Sequence, residues 1–340
     1  MFAGEVNLNQ WYKPNIDKKI LKDLSKRSDL KGLIHILTYF SALIITGYSS
    51  YFFWGTWLSI PCLLIYGNIF YSKAISIQHE TNHETFFKSR ALNKFFYSIT
   101  SVMGGFEEVR WKWSHFHHHS FTINTKKENY DYENNSPRPT EPIRFLINFL
   151  PFGSLLNIQK IRHFTHIEII KHAFGFLSPV ARVTVPTKEF KKVIYGSRIH
   201  IFYWLFSICL SIYFQSFLPL FLLVLPPFYG NTLLMLMGLT QHAGLEENSK
   251  DHRKSTRTVI LNPLFSFLYS HMEYHIEHHI FPKVPCHNLK KLHNLIKDQT
   301  PKPNIGLFNA YKEIIPTIFK QAKDVKYLIK VNLPEHNKNI

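Results

Sequence analysis

Residues Gly32–Ser72 read GLIHILTYFSALIITGYSSYFFWGTWLSIPCLLIYGNIFYS, a stretch of 41 residues without a single Asp, Glu, Lys or Arg. A second stretch, Ile199–Leu245, runs for 47 residues under the same restriction. The hydrocarbon layer of a membrane is about 30 Å thick, so a helix needs about 20 apolar residues to cross it. Each stretch is long enough for two spans, which excludes a single soluble globule.

The spans are placed as two hairpins. Outside the two stretches, the other 252 of the 340 residues carry all 63 charged side chains. The four predicted spans are 33–50, 55–72, 199–214 and 217–239. Pro219, Pro226, Pro227 and Gly230 lie within the last of these. They predict a bent fourth helix, since proline cannot donate its backbone nitrogen to a helical hydrogen bond.

The positions of the cations predict the orientation. Seven Lys and Arg residues precede Gly32, 18 lie from Lys73 to Arg198, and 15 follow Leu245, whereas the two tight connections within the hairpins carry none. The positive-inside rule therefore places both termini and the central segment in the cytoplasm. The net charge of +17 then suits anionic lipid head groups better than nucleic acid. We expect no charged side chain within the spans, where only His35 and His200 are ionisable near neutral pH.

Histidine spacing carries the chemistry. The 20 histidines include three clusters: box one is His79-Glu-Thr-Asn-His83, box two is His115-Phe-His-His-His119, and box three is His275-Ile-Glu-His-His279. The pattern H-x-x-H-H is expected only about 0.07 times in a chain with this histidine content, and it occurs twice. Residues at i, i+3 and i+4 share one face of a helix, so each box directs its imidazoles toward one place.

The boxes predict a metal centre. No Gly or Pro interrupts residues 73–87, so the second span can continue as a helix through box one. His242 lies where the fourth span ends, and eight box histidines plus His242 are enough for two ions. The three cysteines form no C-x-x-C pair, which argues against structural zinc. Neutral imidazole suits iron, copper, nickel and zinc, and a site at the membrane face could supply the open coordination positions and the apolar substrate channel that an oxygen-activating iron pair needs.

Carboxylates near the boxes are candidates for orienting the ligands, because a metal-bound histidine usually donates its other N–H to a carboxylate or carbonyl. The candidates are Glu80, Glu107 and Glu277, with Glu108 and Glu273 as further neighbours.

Two segments, RWKWSHFHHH at 110–119 and YHIEHHIFP at 274–282, resemble the membrane-bound fatty acid desaturase superfamily, which includes the related alkane and fatty-acid hydroxylases. The resemblance implies a non-haem di-iron centre that uses O₂ and two electrons to remove hydrogen from unactivated C–H bonds. It also implies the iron ligands, which are His79, His83, His115, His118, His119, His275, His278 and His279, with His242 as an additional one. His117 and His271 fall outside the pattern and are candidates for roles beside the ligands.

The predicted fold is all-α and polytopic, with four transmembrane helices as two hairpins and a cytoplasmic helical cap that holds the boxes. Residues 1–31 form a cytoplasmic N-terminal segment and 301–340 a cytoplasmic tail. The desaturase domain covers 32–300, and its cap consists of 73–198 and 246–300.

Electrons are expected from a separate protein. The chain has no G-x-G-x-x-G nucleotide motif and no His-Pro-Gly-Gly haem motif, so a ferredoxin or cytochrome b5 with its reductase is the predicted donor. Arg110, Lys112 and Lys283 are candidates for docking the donor or a substrate head group. The absence of a fused cytochrome favours the bacterial inner membrane over the endoplasmic reticulum.

Three functions stay open from the sequence. The first is desaturation of a fatty acyl chain, in which two neighbouring hydrogens are removed. The second is hydroxylation of an acyl or alkyl chain on the same scaffold. The third is a histidine-rich metal transporter, which we disfavour because a transport path should place ionisable groups inside the spans.

Overall fold

A computed structural model describes residues 11–133, 142–156 and 165–334. Helices dominate these ranges, as predicted, and their only sheet pairs two short parallel strands, β1 (Val259–Ile260) and β2 (Asn304–Ile305). The α-helices are α1 (Lys18–Leu24), α2 (Asp29–Phe52), α3 (Ser59–Asn82), α4 (Arg90–Gly104), α5 (Glu108–Ser120), α6 (Pro142–Ile147), α7 (Gly153–Leu156), α8 (Thr165–Ala173), α9 (Pro179–Thr184), α10 (Phe190–Tyr213), α11 (Leu218–Leu223), α12 (Pro226–Tyr229), α13 (Asn231–Gly238), α14 (His252–Ser255), α15 (Pro263–Leu268), α16 (His275–Ile280), α17 (Cys286–Ile296) and α18 (Gly306–Lys323). Short 3-10 helices cover Lys127–Asn129, Thr187–Glu189, Leu239–Gln241 and Lys297–Gln299.

The chain divides into two compact units. Unit 1 is built from the described residues of 1–27, 115–142 and 236–340, and unit 2 from those of 28–114 and 143–235. Boxes two and three and His242 therefore belong to unit 1, whereas box one belongs to unit 2.

Three helical segments of unit 2 are long and apolar enough to cross a membrane. They are Asp29–Phe52, Ser59–Asn82 and Thr187–Tyr213. On α2, Leu37 and Ile44 are 65% and 71% exposed, and soluble proteins rarely leave so much contiguous apolar surface in water. These segments indicate a membrane protein and agree with the first three predicted spans.

The fourth predicted span, 217–239, is not one helix. Its residues form α11, α12 and α13, and each is much shorter than the about 20 residues that a helix needs to cross the hydrocarbon layer. Pro226 and Pro227 lack the N–H groups that a continuous helix would use. The bend expected from the prolines is therefore a break, and a fourth span stays a prediction.

Close packing holds this broken segment against α3. Tyr229 lies on Gly67, and a Cβ atom at Gly230 would overlap the backbone of Gly67. The side-chain oxygen of Asn68 accepts the N–H of Leu233 at 2.8 Å, which satisfies one of the donors left open at the start of α13. Glycine at both positions allows the two backbones to approach this closely.

Helix α3 passes the expected membrane edge. It continues through box one to Asn82, which confirms the predicted helical continuation. Lys73, predicted to flank the span, is 0% exposed, and its Nζ lies 3.3 Å from His35 Nδ1. The predicted span 55–72 contains no charged side chain, and Lys73 and Glu80 lie in the part of α3 that continues beyond it. No Gly or Pro follows Lys73 in α3, and the helix continues past this lysine because its neighbours bury the side chain and offer a hydrogen-bond partner.

The short sheet organises unit 1. Val259 pairs with Asn304 and Ile260 with Ile305, which fixes the chain that precedes α16 against the start of α18. Helices α17 and α18 bury apolar side chains beside it, including Leu292. This small core supports the loop and helix that carry His242 and box three.

Candidate metal centre

Box two lies on the last turns of α5, where two of its rings are held by carboxylates. His115 Nδ1 donates to Glu133 Oε2 at 2.7 Å, and His118 Nδ1 donates to Asp131 Oδ2 at 2.8 Å. Both carboxylates belong to the loop that follows α5. Since Nδ1 is engaged in each ring, Nε2 is left as the ligand atom.

Asp131 is itself fixed by the loop. It is 1% exposed and accepts the N–H groups of Ile123 at 2.9 Å and Glu133 at 3.0 Å. Burial disfavours its charge, but His118 and these backbone donors outweigh burial and lower the pKa of Asp131. Burial also opposes the charge on His118, yet Asp131 raises the pKa of that imidazole. A metal that takes Nε2 of His118 therefore displaces a proton.

Box three forms α16, whose three box histidines are at most 4% exposed. A backbone hydrogen bond from β1 to the carbonyl of Glu273 sets where this helix begins. The hydroxyl of Thr122 donates to the carbonyl of His118 at 2.8 Å, so its oxygen accepts the Nδ1–H of His279 at 3.3 Å. A side chain just beyond α5 thus orients a ring of α16.

His242 occupies a turn after α13. Its Nδ1 donates to the carbonyl of Ser255 at 2.9 Å. The guanidinium of Arg257 holds the turn by donating to the carbonyls of Thr240 at 2.7 Å and Ala243 at 3.2 Å. Burial, and then the positive charge on the neighbouring box-two histidine, lowers the pKa of His242 to about 3. The ring is therefore neutral at physiological pH, as a metal ligand must be.

Four of these rings converge within unit 1. The four-histidine set, His118, His242, His275 and His279, places its ligand atoms within 4.8 Å of one another. Nε2 of His275 lies 2.9 Å from Nε2 of His242 and 3.0 Å from Nε2 of His279. Because His242 and His279 carry their hydrogen on Nδ1, their Nε2 atoms present lone pairs to this point. A cation would satisfy all four nitrogens, so the donor set fits one metal ion.

A second set lies beside it in unit 1. In the three-histidine set, Nε2 of His119 lies 3.1 Å from Nε2 of His115 and 3.2 Å from Nε2 of His278. The rings of His119 and His279 stack with centroids 4.4 Å apart, so the two sets are direct neighbours. Boxes two and three are therefore brought together as the spacing predicts, in two groups of nitrogen donors.

Box one ends α3 in unit 2. The rings of His79 and His83 lie 5.0 Å apart, and His79 is 3% exposed. Glu80 Oε1 lies 3.8 Å from His79 Nδ1, while its other oxygen accepts a hydrogen bond from Thr85. Within its own unit, box one therefore presents two adjacent imidazoles with a carboxylate beside one of them.

The family model described as fatty acid desaturase matches residues 52–310, more than half of the chain. The chain belongs to the fatty acid desaturase family. No curated protein matches it. Membership implies an oxidoreductase that acts on lipids by desaturase-type or hydroxylase-type chemistry, and the histidine clusters agree with the iron use of this family.

Two other carboxylates predicted to support this desaturase-family centre make different contacts. Glu107 accepts the N–H groups of Val109 at 3.1 Å and Arg110 at 2.7 Å, at the start of α5. Burial raises the pKa of Glu107 to about 8, against these two hydrogen bonds. Glu277 accepts from His293 Nδ1 and from the Thr258 hydroxyl, each at 2.6 Å. Glu107 fixes the start of the box-two helix, and Glu277 fixes the interior of α16.

The remaining predicted histidines stand apart from both sets. His117 Nε2 donates to the carbonyl of Tyr130 at 3.1 Å. His271 Nδ1 forms a 2.8 Å hydrogen bond with the hydroxyl of Ser266. Neither is grouped with the clustered ligands.

The docking candidates differ in accessibility. Arg110 pairs with Glu168 at 3.1 Å, and its side chain is only 12% exposed. Lys112 and Lys283 are exposed. Of the three, these two lysines are accessible to a donor or a head group, whereas Arg110 is committed to a contact within unit 2.

Sequence reasoning missed Asp131 and Glu133. Both lie in the segment Tyr130-Asp-Tyr-Glu133, beyond the helix that carries box two. A hydrogen bond from a loop leaves no periodic pattern, so spacing gave no reason to select them. The sequence feature that could have indicated them is the presence of two acidic residues shortly after a histidine box, in a stretch otherwise rich in lysine and asparagine.

Proposed function

We propose that this family member is a membrane-bound, O₂-dependent fatty acyl desaturase with a histidine-ligated di-iron centre. The observation that carries the proposal is the four-histidine set of unit 1. Three of its rings are fixed at Nδ1 by a carboxylate, a carbonyl and a hydroxyl, the ring of His275 contacts the amide of Gln241 through Nδ1, and all four aim Nε2 at one point. Ligands held in this way bind a metal without further reorganisation.

Histidine-only donors select among metals. Imidazole suits iron, and no thiolate is among the clustered ligands, which separates the site from structural zinc. We propose one ion in the four-histidine set and a second in the three-histidine set. His79 and His83 are proposed as further ligands of the iron pair, as the resemblance to the family implies.

When bound, the iron pair would supply the oxidising chemistry that removes hydrogen from an unactivated C–H bond with O₂ and two electrons. The chain contributes the rest. Its buried rings exclude bulk water, since five of the seven histidines in the two sets are at most 4% exposed. Asp131 and Glu133 hold the ligand orientation and balance the positive charge of the metals.

The protein environment completes the proposal. Four spans would form two hairpins with both termini in the cytoplasm, and the desaturase domain would cover 32–300. The electrons would come from a ferredoxin or a cytochrome b5 with its reductase, for which the exposed Lys112 and Lys283 offer positive charge. A lipid or fatty acyl chain would be the substrate, in the bacterial inner membrane.

Product analysis tests the reaction. The chain is expressed in a host that supplies a suitable donor, and the lipids are compared by mass spectrometry with those of a host that carries His118→Ala. A new product two hydrogens lighter than its precursor supports desaturation. A product heavier by one oxygen supports the hydroxylase alternative and contradicts the proposed reaction.

Metal analysis tests the centre independently. The purified wild type should contain two iron ions per chain, and His83→Ala should lose iron while membrane insertion is unchanged. Iron or zinc that crosses a vesicle membrane without remaining bound would favour the transporter instead.

A further inference from the structure

An N-terminal strap lies across unit 1. The strap, residues 11–15, is held by three contacts. The Tyr12 N–H donates to the Lys250 carbonyl at 3.4 Å, and the Arg253 guanidinium lies 3.2 Å from the centre of the Tyr12 ring. Asn15 and Gln299 exchange two hydrogen bonds, of 2.6 and 2.8 Å. Such paired contacts fix the path of a segment that has no regular secondary structure.

The strap places an indole on a histidine outside the boxes. The rings of Trp11 and His252 are stacked, with centroids 4.2 Å apart and an interplanar angle of 12°. Trp11 remains partly exposed, whereas His252 is 6% exposed. Nearly parallel rings at this distance are in van der Waals contact over much of their area.

His252 in turn contacts the four-histidine set. Its ring centroid lies 4.9 Å from that of His279, which carries one of the converging Nε2 atoms. Two ring contacts therefore connect the partly exposed face of Trp11 to a metal-ligating imidazole. The histidine boxes give no reason for either Trp11 or His252, since both lie far from them in sequence.

We infer that Trp11 and His252 form the bridge by which electrons from the external donor reach the metal pair. The inference rests on the proposed function, which requires two electrons per turnover from a separate iron protein. Overlapping π systems in contact couple donor and acceptor better than saturated side chains or water. A ring that touches a ligand ring also delivers the electron to a side chain bonded to the metal.

The transfer balances without covalent change in the bridge. Each electron leaves the reduced donor, which is oxidised by one unit, and ends on the metal pair, which is reduced by one unit. Two such electrons with two protons, one O₂ and the two hydrogens removed from the substrate give two water molecules. No bond forms or breaks in Trp11 or His252.

The test separates bridging from a merely structural cover. Trp11→Leu keeps an apolar side chain over His252 but removes the π system, whereas Trp11→Phe keeps a stacked ring. Trp57→Leu is the matched control, because Trp57 is an indole that is 75% exposed in unit 2. Iron-loaded protein is mixed anaerobically, without substrate, with the reduced ferredoxin or cytochrome b5 that supports wild-type turnover. The fading of the ferric absorption gives the reduction rate, and dithionite with a small viologen mediator gives a rate that bypasses the bridge.

The expected result is that Trp11→Leu slows reduction by the protein donor by about tenfold, equivalent to about 1.4 kcal/mol in barrier. Its mediator rate and iron content should match the wild type, and Trp11→Phe should recover much of the rate. Equal donor rates in Trp11→Leu and the wild type would overturn the bridge. Loss of iron from Trp11→Leu, or slowing by mediator and donor alike, would assign the strap a structural role instead.

The proposed function fails in a different way. In that case neither ferredoxin nor cytochrome b5 reduces the iron of the wild type, or the wild type forms no oxidised lipid. The residue at position 11 makes no difference to either result. Iron that the protein donor does not reduce in the wild type overturns the bridge as well, because no donor then exists for it. A wild type that is reduced but forms no oxidised lipid overturns the proposed reaction alone. A wild type that is active, with a Trp11→Leu variant reduced at the same rate, overturns the bridge alone.

Discussion

The substitution Asp131→Asn removes the charge that orients His118 while it keeps the size of the side chain. In the wild type, the Nδ1–H of His118 donates to a carboxylate oxygen at 2.8 Å. Asparagine can still accept this hydrogen bond through its amide oxygen. In the wild type, the other carboxylate oxygen accepts the N–H of Glu133 at 3.0 Å. In the variant, the NH₂ group takes the place of that oxygen and faces the N–H of Glu133. The bonds from His118 and from the N–H of Ile123 become neutral, and the N–H of Glu133 loses its acceptor.

The magnitude follows from these contacts. Hydrogen bonds to charged groups contribute about 1.5–3 kcal/mol and neutral ones about 0.5–1.5 kcal/mol, so the exchange weakens ligand orientation by about 1–1.5 kcal/mol. That difference corresponds to about a tenfold loss of metal affinity. Partners of metal-bound histidines generally contribute a factor of about 10–100 in affinity or activity, and the expected loss lies at the lower end of that range.

The assay is a competition titration of apo-protein in detergent with Fe(II) or Co(II) against a chelator of known affinity. It is done at about pH 8, where protons compete less for His118. Glu133→Gln is the matched control, because it makes the same change of charge beside His115 in the three-histidine set. Asp131→Asn should weaken one of the two binding steps and Glu133→Gln the other. Unchanged affinity in Asp131→Asn, or weakening of the same step by both variants, would refute the reasoning.

Three further substitutions test the scaffold and the ligand assignment. Glu107 keeps its proton up to about pH 8 in the folded chain and loses it near pH 4.5 when unfolded, so folded-state stability falls as pH rises between these values. As the pH rises from about 5 to about 8, the thermal unfolding midpoint of the wild type in detergent should fall, whereas that of Glu107→Gln should stay nearly level. Parallel plots of midpoint against pH for the two proteins would contradict the raised pKa. Gly230→Ala should lower that midpoint, with a destabilisation of about 1–3 kcal/mol, because the new methyl group meets the backbone of Gly67; an unchanged midpoint would argue against the close approach. His118→Ala should abolish turnover and reduce bound iron, whereas His117→Ala should keep most of both, and equal losses would overturn the ligand assignment.

The parts of the site that follow from local spacing were predictable. An i, i+3, i+4 pattern fixes which side chains share a helix face wherever that helix lies, and boxes two and three indeed present their rings together. The continuation of α3 through box one was predictable for a similar reason, since no Gly or Pro interrupts it. In each case the information lies within one turn or two of helix.

The parts that depend on distant partners were not predictable. Lys73 carries a charge that predicts a membrane edge, yet it is buried beside His35 because another helix supplies a partner. Asp131 acts through a loop whose path depends on backbone hydrogen bonds at Ile123 and Glu133. Proline content predicted a distorted fourth span, but it did not predict the close approach of Gly230 to the backbone of Gly67. None of these partners is marked by periodicity.

The four-histidine set also bears on how unit 1 folds. Its ligands come from the end of α5, from the turn at His242 and from α16, so one ion would join three segments that are far apart in sequence. Closing such long loops has a conformational entropy cost that a local helix does not have, and a metal that binds only the folded arrangement offsets it. The hydrogen bonds of Asp131, Ser255 and Thr122 reduce the same cost in advance, because each fixes a ring before any metal arrives. These hydrogen bonds and the ion therefore stabilise the same arrangement of the four rings. Loss of either would loosen the contact between boxes two and three.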